Sequence, residues 1–327
     1  VQTCALPIFY LGPIYTWGTI GGRTDFYMWK PVFLDYSYNF AVRNFRHGSF
    51  GNITKIDNTR QVKNSESFFS VAAGMPLAHR GVFLIRANGG HVNYRYDSDE
   101  LFADDTDHSR YSFFGIKAEL ARNTLDKFLY PRRGSDLKLS GIFVTGRDKY
   151  EPFDAEKFLS RTSRQWVGAR LTWDKYFDMP GCSWFSLGLN VDGVITNHPE
   201  FTTEGATVMS MPAYEPVPHA QMIYMPDFRG KRFAAGGVMP TFDLMPNFFL
   251  RTGFYAMFRE KRSFVPGVSG PVEDKRWHYI AEASLVYHTP IGPVSLALTK
   301  YDLRNWKNMY LTFNFGYAIF APKGTFY

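Results

Sequence analysis

Hydrophobic and polar residues alternate one by one in several stretches of this chain. The clearest are residues 111–124, 183–195, 277–287 and 309–320. In the first, Phe114 and Ile116 share one face, while Lys117 and Glu119 share the other. A period of two is typical of a β-strand with one apolar and one polar face. Each stretch is about ten residues long, which is the length of a transmembrane β-strand.

The connections between the predicted strands alternate in length along the chain. Short connections are expected at 76–80, 180–181, 246 and 290–293, and long polar loops at 47–64, 97–109, 150–162, 197–227 and 262–275. Short turns on one rim and long loops on the other are typical of transmembrane barrels, and a soluble sandwich rarely keeps that asymmetry. The pattern therefore predicts an all-β fold, an antiparallel transmembrane β-barrel with about 14 strands in this chain.

The segment from Asn197 to Phe233 differs from the rest because it has no period and is rich in Pro and Met. A loop this long inside a compact fold usually has a function. We predict that it folds into the barrel lumen, with Phe228, Arg229 and Gly230 as its key motif and Arg229 at its tip.

Successive residues of a strand point to opposite faces, so counting from the apolar, lipid-facing positions assigns the side of each residue. This count places two charged residues of late strands, Arg251 and Glu282, on the lumenal side. A buried arginine needs a partner, and a carboxylate is the strongest one. We expect Arg229 to pair with Glu282, which is either shared with Arg251 or held mainly by it. The alternative is a surface arginine on a mobile loop.

Composition excludes several other classes of protein. The chain has 327 residues and a net charge of +7, but its Lys and Arg residues are spread along the sequence, which argues against nucleic-acid binding. No apolar run reaches the roughly 18 residues of a membrane helix, so strands would have to cross the bilayer.

Cys4 and Cys182 have no metal-ligand spacing. The acidic loop from Asp97 to Asp107 lacks the calcium-binding pattern of an EF-hand. We expect neither a metal nor a cofactor.

No catalytic residues are predicted. A serine hydrolase needs a G-x-S-x-G elbow, and the nearest match, Gly267 to Pro271, lacks the final glycine. The eight His residues are scattered through loops and strands, His91, His219 and His278 among them. None of them stands in a recognisable catalytic pattern.

Three motifs resemble those of the surface-antigen barrels of the outer-membrane assembly and two-partner secretion superfamily. Asn123-Thr124, Tyr130-Pro131 and Gly134 are similar to the DTRD…P…G hairpin of that family. The run from Thr289 to Val294 is similar to its penultimate turn, SP-x-GP-L. The Phe228-Arg229-Gly230 motif resembles its VRGF motif, on the loop third from the C-terminal end. The turn residues that carry the resemblance are Pro131, Gly134, Pro290, Gly292 and Pro293.

The runs MPAYEPVPH, LVYHTPIGPVSL and FNFGYAIF look like the C-terminal barrel of patatin-like phospholipase outer-membrane proteins. That resemblance implies about 16 strands in the complete barrel, against about 14 here. It also implies an upstream hydrolase and a polypeptide-transport-associated domain. Residues 1–8 resemble a translated sequencing adapter, so we expect a non-native leader there and the barrel domain over residues 9–327.

The resemblance implies an integral barrel in the outer membrane of a Gram-negative bacterium, anchoring or translocating an upstream patatin-type lipid acyl hydrolase. The implied partners are outer-membrane lipids, lipopolysaccharide, the upstream domains and the barrel-assembly machinery, with no nucleic acid. A monomer and a homodimer both remain open. The alternatives are a passive diffusion porin and a barrel-embedded lipid hydrolase.

Overall fold

The computed structural model describes most of the chain. The described residues are 2–5, 8–10, 15–27, 31–45, 62–97, 106–151, 160–179, 181–217, 220, 225–260, 277–290, 292–301, 309–315 and 323–326. Their strands are β1 (Gln2–Ala5), β2 (Ile8–Tyr10), β3 (Tyr15–Tyr27), β4 (Pro31–Phe45), β5 (Val62–Leu77), β6 (Gly81–Asp97), β7 (Thr106–Asn123), β8 (Gly134–Glu151), β9 (Ser160–Met179), β10 (Cys182–Thr196), β11 (Arg232–Met245), β12 (Phe248–Arg259), β13 (Trp277–Thr289), β14 (Gly292–Tyr301) and β15 (Met309–Phe315).

All of these strands belong to one antiparallel sheet in which each strand from β3 to β15 pairs with the next along the chain. β1 and β2 both pair with β3, the first opposite residues 22–25 and the second opposite residues 17–19. They therefore occupy one position, and the described strands fill fourteen positions in the sheet. The predicted all-β antiparallel fold is confirmed.

The two faces of the sheet have opposite environments. Phe68 is 2% exposed, whereas the next residue along β5, Phe69, is 67% exposed. The same alternation makes Phe114 and Ile116 of β7 exposed while Tyr111 and Phe113 are buried. An apolar face that is exposed along strand after strand is expected only where the surrounding solvent is lipid.

The connections divide between the two rims as predicted. Short turns lie between β5 and β6, β9 and β10, β11 and β12, and β13 and β14. Several of them contain left-handed residues, such as Arg80 with φ 61° and Asn247 with φ 63°, as tight hairpins often do. The connection between β7 and β8, residues 124–133, lies at this same rim, whereas the other long connections lie at the opposite rim, and the longest of them joins β10 to β11.

Helical structure is confined to that longest connection, within the described part of the chain. It contains the seven-residue helix α1 (Glu204–Ser210) and a 3₁₀ turn (Pro226–Phe228). None of the helices among the described residues has the length and apolar character needed to span a bilayer.

The main hydrophobic core of the described residues lies on the lumenal face of the sheet. Its largest cluster combines lumen-facing side chains of the strands, such as Tyr111 and Trp166, with side chains of the long connection, such as Phe201 and Phe228. A smaller cluster of Tyr130, Phe249 and Val286 lies on the connection between β7 and β8 and on two nearby strands. The sheet is thus packed from within by its own connections.

Candidate functional site

The connection between β10 and β11, residues 197–231, lies inside the lumen, and we call it the lumenal loop. Residues 218–219 and 221–224 of it fall outside the described part. Its helix α1 begins after Thr203, whose Oγ1 accepts a hydrogen bond from the Ala206 backbone N–H at 3.4 Å. The buried hydrophobic residues of the loop are Phe201, Ala206, Val208, Met209, Met211, Ala213, Tyr214, Val217, Ala220, Met225 and Phe228. The predicted placement of this loop in the lumen agrees with this burial.

One end of the lumenal loop is fastened to strands β7 to β9. The ring of Phe201 meets Tyr111 edge-on at 5.1 Å. Beside it, His198 packs against Trp166 with 4.6 Å between ring centroids. The carboxylate of Asp148 accepts hydrogen bonds from the backbone N–H and the hydroxyl of Thr202, at 3.1 and 3.0 Å. These contacts combine aromatic packing with two partly buried charge-assisted hydrogen bonds.

The middle of the loop is held by β9 and β10. Arg170 donates two hydrogen bonds to Asp192, at 3.0 and 2.6 Å, and a third to the Ala213 carbonyl at 3.1 Å. Nearby, the Tyr214 hydroxyl donates to Asn190 Oδ1 at 2.7 Å. The Arg170–Asp192 pair was not predicted, although inward parity on neighbouring strands was a usable signal for it.

The Phe228-Arg229-Gly230 motif lies on the returning limb of the loop rather than at its tip. Arg229 is three residues before β11 and forms an isolated β-bridge with Ala213. Phe228 lies edge-on to the rings of His278 and Tyr301, at 5.6 and 6.2 Å between centroids. The expectation that Arg229 forms the tip was wrong, because the two limbs of the loop pair with each other and place its turn elsewhere.

Arg229 has a different carboxylate partner from the predicted one. Its guanidinium donates to the carbonyl oxygens of Met209 and Met211, at 2.8 and 3.3 Å, just where α1 ends. It also lies 4.0 Å from a carboxylate oxygen of Glu215 in the same loop. The predicted pairing with Glu282 is corrected accordingly: the arginine closes the loop on itself instead of reaching a strand.

The carboxylate of Glu215 interacts with two cations, Arg229 and Lys323. Both of its carboxylate oxygens accept hydrogen bonds from Lys323 Nζ, at 2.9 Å each. Burial raises the pKa of Glu215, but the charges of Lys323 and Arg229 outweigh burial, so its pKa lies below the usual range. The carboxylate is therefore held in its charged form.

Glu282 and Arg251 both face the lumen, as their parity predicted. Glu282 is 8% exposed and accepts a hydrogen bond from Ser284 Oγ at 2.5 Å. Arg251 donates to the Tyr176 hydroxyl at 3.3 Å, and its guanidinium lies 5.6 Å from the ring of Tyr130. Arg251 is thus held largely by aromatic rings, a geometry that favours a guanidinium cation.

The residues of the predicted family hairpin form an ordered connection between β7 and β8. Gly134 has φ 98°, and a Cβ there would lie 2.2 Å from the Thr124 carbonyl oxygen. Only glycine fits this conformation and this space. Tyr130 precedes the buried Pro131 in a left-handed conformation, φ 53°, and its hydroxyl donates to Ser295 Oγ at 2.9 Å. The connection thereby reaches into the lumen as far as β14.

The second family turn joins β13 to β14. Gly292 has φ 132°, and the Thr289 hydroxyl donates to its carbonyl oxygen at 2.6 Å. Pro293 is buried opposite His288, and Pro290 is exposed at the turn. Two other sequence candidates, the elbow-like run 267–271 and His219, lie outside the described residues.

Comparisons with protein-family models and with curated protein sequences find no match. Solved structures do match. BamA from Haemophilus ducreyi lacking POTRA domains 1–3 is 11% identical with a TM-score of 0.61, over 95% of this chain and 63% of that one. This chain therefore spans less than two thirds of that protein's length.

Two further structures match at lower TM-scores. CdiB from Acinetobacter baumannii is 8% identical with a TM-score of 0.34, over 92% of this chain and 56% of that one. OccK11 (OpdR) from Pseudomonas aeruginosa is 10% identical with a TM-score of 0.31, over 94% of this chain and 90% of that one. At 11% identity the likeness to BamA concerns the fold alone. In that respect this chain is a β-barrel similar to that of BamA.

Proposed function

We propose that this chain is the membrane-embedded barrel of a Gram-negative outer-membrane protein that anchors or translocates an upstream domain. Its exposed apolar face suits the bilayer, as the 67% exposure of Phe69 beside the buried Phe68 illustrates. The upstream domain would be a patatin-type lipid acyl hydrolase, which is implied by the sequence resemblance and lies outside this chain.

The observation that carries this proposal is the filled lumen. The lumenal loop contacts β8 through Asp148 and Thr202 and reaches the opposite strands through Phe228, His278 and Tyr301. A diffusion porin needs a continuous water-filled path. A loop packed against both sides favours a closed scaffold that opens only when the loop moves.

The ordered family turns support the same class of protein. The conformation at Gly134 and the turn at Gly292 both require residues that the resembled family carries at these places. The hydrogen bond from Tyr130 to Ser295 ties the first of these connections to a strand far along the chain. An ordered rim at the β7–β8 and β13–β14 connections is suited to a barrel that carries another domain at this rim.

Planar-bilayer recordings test the closed scaffold. We expect small conductance from the full chain, and large open-channel conductance after residues 198–230 are replaced by a short Gly-Ser linker. Shortening the connection between β6 and β7 on the same rim provides the control and should leave conductance small. Equal, large conductance in all three proteins would instead favour the porin alternative.

Two observations test the hydrolase link. The upstream reading frame should encode a G-x-S-x-G elbow, and this chain alone should not hydrolyse phospholipid in vesicles. Lipid hydrolysis by the purified chain, lost on heating together with the folded barrel, would favour the barrel-embedded hydrolase alternative.

A further inference from the structure

A second segment enters the lumen beside the loop. Residues Lys323–Phe326 form a four-residue turn, closed by a hydrogen bond from the Phe326 backbone N–H to the Lys323 carbonyl at 3.1 Å. We call this segment the 323–326 turn. It lies beyond β15, yet its contacts are with β5, β6, β7 and the lumenal loop. The turn is therefore inserted between strands β5 to β7, which we call the wall, and the lumenal loop.

The wall makes hydrogen bonds with both backbone groups of Gly324, its N–H and its carbonyl. The Gly324 N–H donates to Glu66 Oε2 at 3.0 Å, and its carbonyl accepts from Asn88 Nδ2 at 2.9 Å. Glu66 is itself held by Arg43, with 2.5 Å between Nη1 and Oε1. Both wall residues are buried, so these are directed polar contacts inside the lumen.

The site is shaped for a turn with glycine at this position. A Cβ on Gly324 would lie 2.6 Å from Phe113 Cζ and 3.0 Å from Phe68 Cδ1, so any side chain there would collide with aromatic rings. The ring of Phe326 lies over Gly115, where a Cβ would come within 2.9 Å of it. A glycine on the turn and a glycine on the wall thus permit close approach on two sides.

The same turn holds the lumenal loop. Lys323 Nζ lies 2.9 Å from both oxygens of Glu215, the carboxylate that also faces Arg229. A cavity of about 30 Å³, large enough to hold water, is lined by this group and by Arg43 and Glu66. Burial and the nearby Arg229 and Arg43 lower the pKa of Lys323 to about 8, against the opposing effect of Glu215.

We propose that Glu66, Asn88, Phe113 and Gly115 form a turn-recognition site in the lumen, and that the 323–326 turn acts there as a latch on the lumenal loop. While the turn is docked, the loop stays packed. When the turn leaves, Glu215 loses its nearest cation and the loop is freed. This regulatory contact does not depend on what the barrel anchors or transports.

Labelling of a single cysteine tests the latch in the full chain, folded in detergent micelles. Cys4 and Cys182 are replaced by serine, and Ser210→Cys places a thiol at a buried loop position that is 4% exposed. We expect Lys323→Gln and Gly324→Val each to raise its maleimide-labelling rate about tenfold or more, because each change leaves buried polar groups of the site unsatisfied. Lys138→Gln is the control, since Lys138 pairs with Asp136 on its own strand.

Heat-modifiable migration on gels shows that each variant has folded. If Gly324→Val does not fold, Lys323→Gln decides, because it keeps the number of side-chain heavy atoms and removes the positive charge that pairs with Glu215. Labelling rates equal to the parent in a folded Lys323→Gln protein would overturn the proposal. So would an equal rise in Lys138→Gln, since the effect would then not be specific to the turn.

Discussion

Replacing Arg229 with alanine should open the lumenal loop without unfolding the barrel. The Arg229 side chain is 10% exposed and donates two hydrogen bonds to the carbonyls that end α1. Hydrogen bonds to a charged group contribute about 1.5–3 kcal/mol each. Glu215 keeps Lys323 as a partner, so the loss should lie near the lower end of the roughly 3–5 kcal/mol for breaking a buried pair.

A loss of about 3 kcal/mol raises the population of the open loop about 100-fold, at 1.4 kcal/mol per factor of ten. Hydrogen–deuterium exchange of peptides covering residues 204–217 measures this opening directly. The matched control is Arg232→Ala, three positions further on, whose side chain is 57% exposed and pairs with Glu260, which is 52% exposed. Such a surface pair contributes about 0–1 kcal/mol, so the control should exchange nearly as the parent does.

Equal exchange in the two alanine variants would refute this reasoning. It would show that aromatic packing alone holds the loop and that the buried arginine contributes nothing measurable. A parallel loss of heat-modifiable migration in Arg229→Ala would also contradict it, since the perturbation should stay within the loop.

Two further outcomes are expected. The pKa of Glu215 is lower in the folded protein, so its carboxylate stabilises the loop above an unfolded pKa near 4.5 and loses that effect as pH falls toward the folded pKa. Hydrogen–deuterium exchange of the loop, corrected for intrinsic rates, should therefore rise in acid. Glu215→Gln should abolish that rise. Ile116→Arg on the lipid-facing side of β7 should lower the free energy of unfolding in vesicles by about 2–4 kcal/mol, measured by denaturant titration, whereas Lys117→Arg, one residue on and facing the lumen, should leave it nearly unchanged.

The parts of the fold that follow from strand period were predictable from the sequence. A strand alternates its faces whatever lies beside it, so the inward placement of Arg251 and Glu282 followed from counting alone. The two rims followed from the lengths of the connections. Even the entry of the lumenal loop into the barrel was predictable, because so long an aperiodic segment rich in Met and Pro has few other places to pack.

The contacts within the lumen were not predictable in this way. The partner of Arg229 depends on the path of the loop, and that path has no period from which to read it. Helix α1 is seven residues long, too short for a helical pattern, and only Thr203 at its start gave a capping signal. Lys323 lies outside every strand, so no parity argument could bring it to Glu215.

The hydrogen bonds of Gly324 join residues that are very far apart in sequence. Its partner Glu66 is 258 residues away and Asn88 is 236 residues away. Contacts of such separation are expected to form late, because closing so long a segment of chain costs entropy that earlier contacts must already offset. Docking of this one glycine is therefore expected late in folding, after β5 and β6 have paired, and a barrel whose assembly stops earlier would leave Glu66 and Asn88 without the Gly324 backbone as a partner.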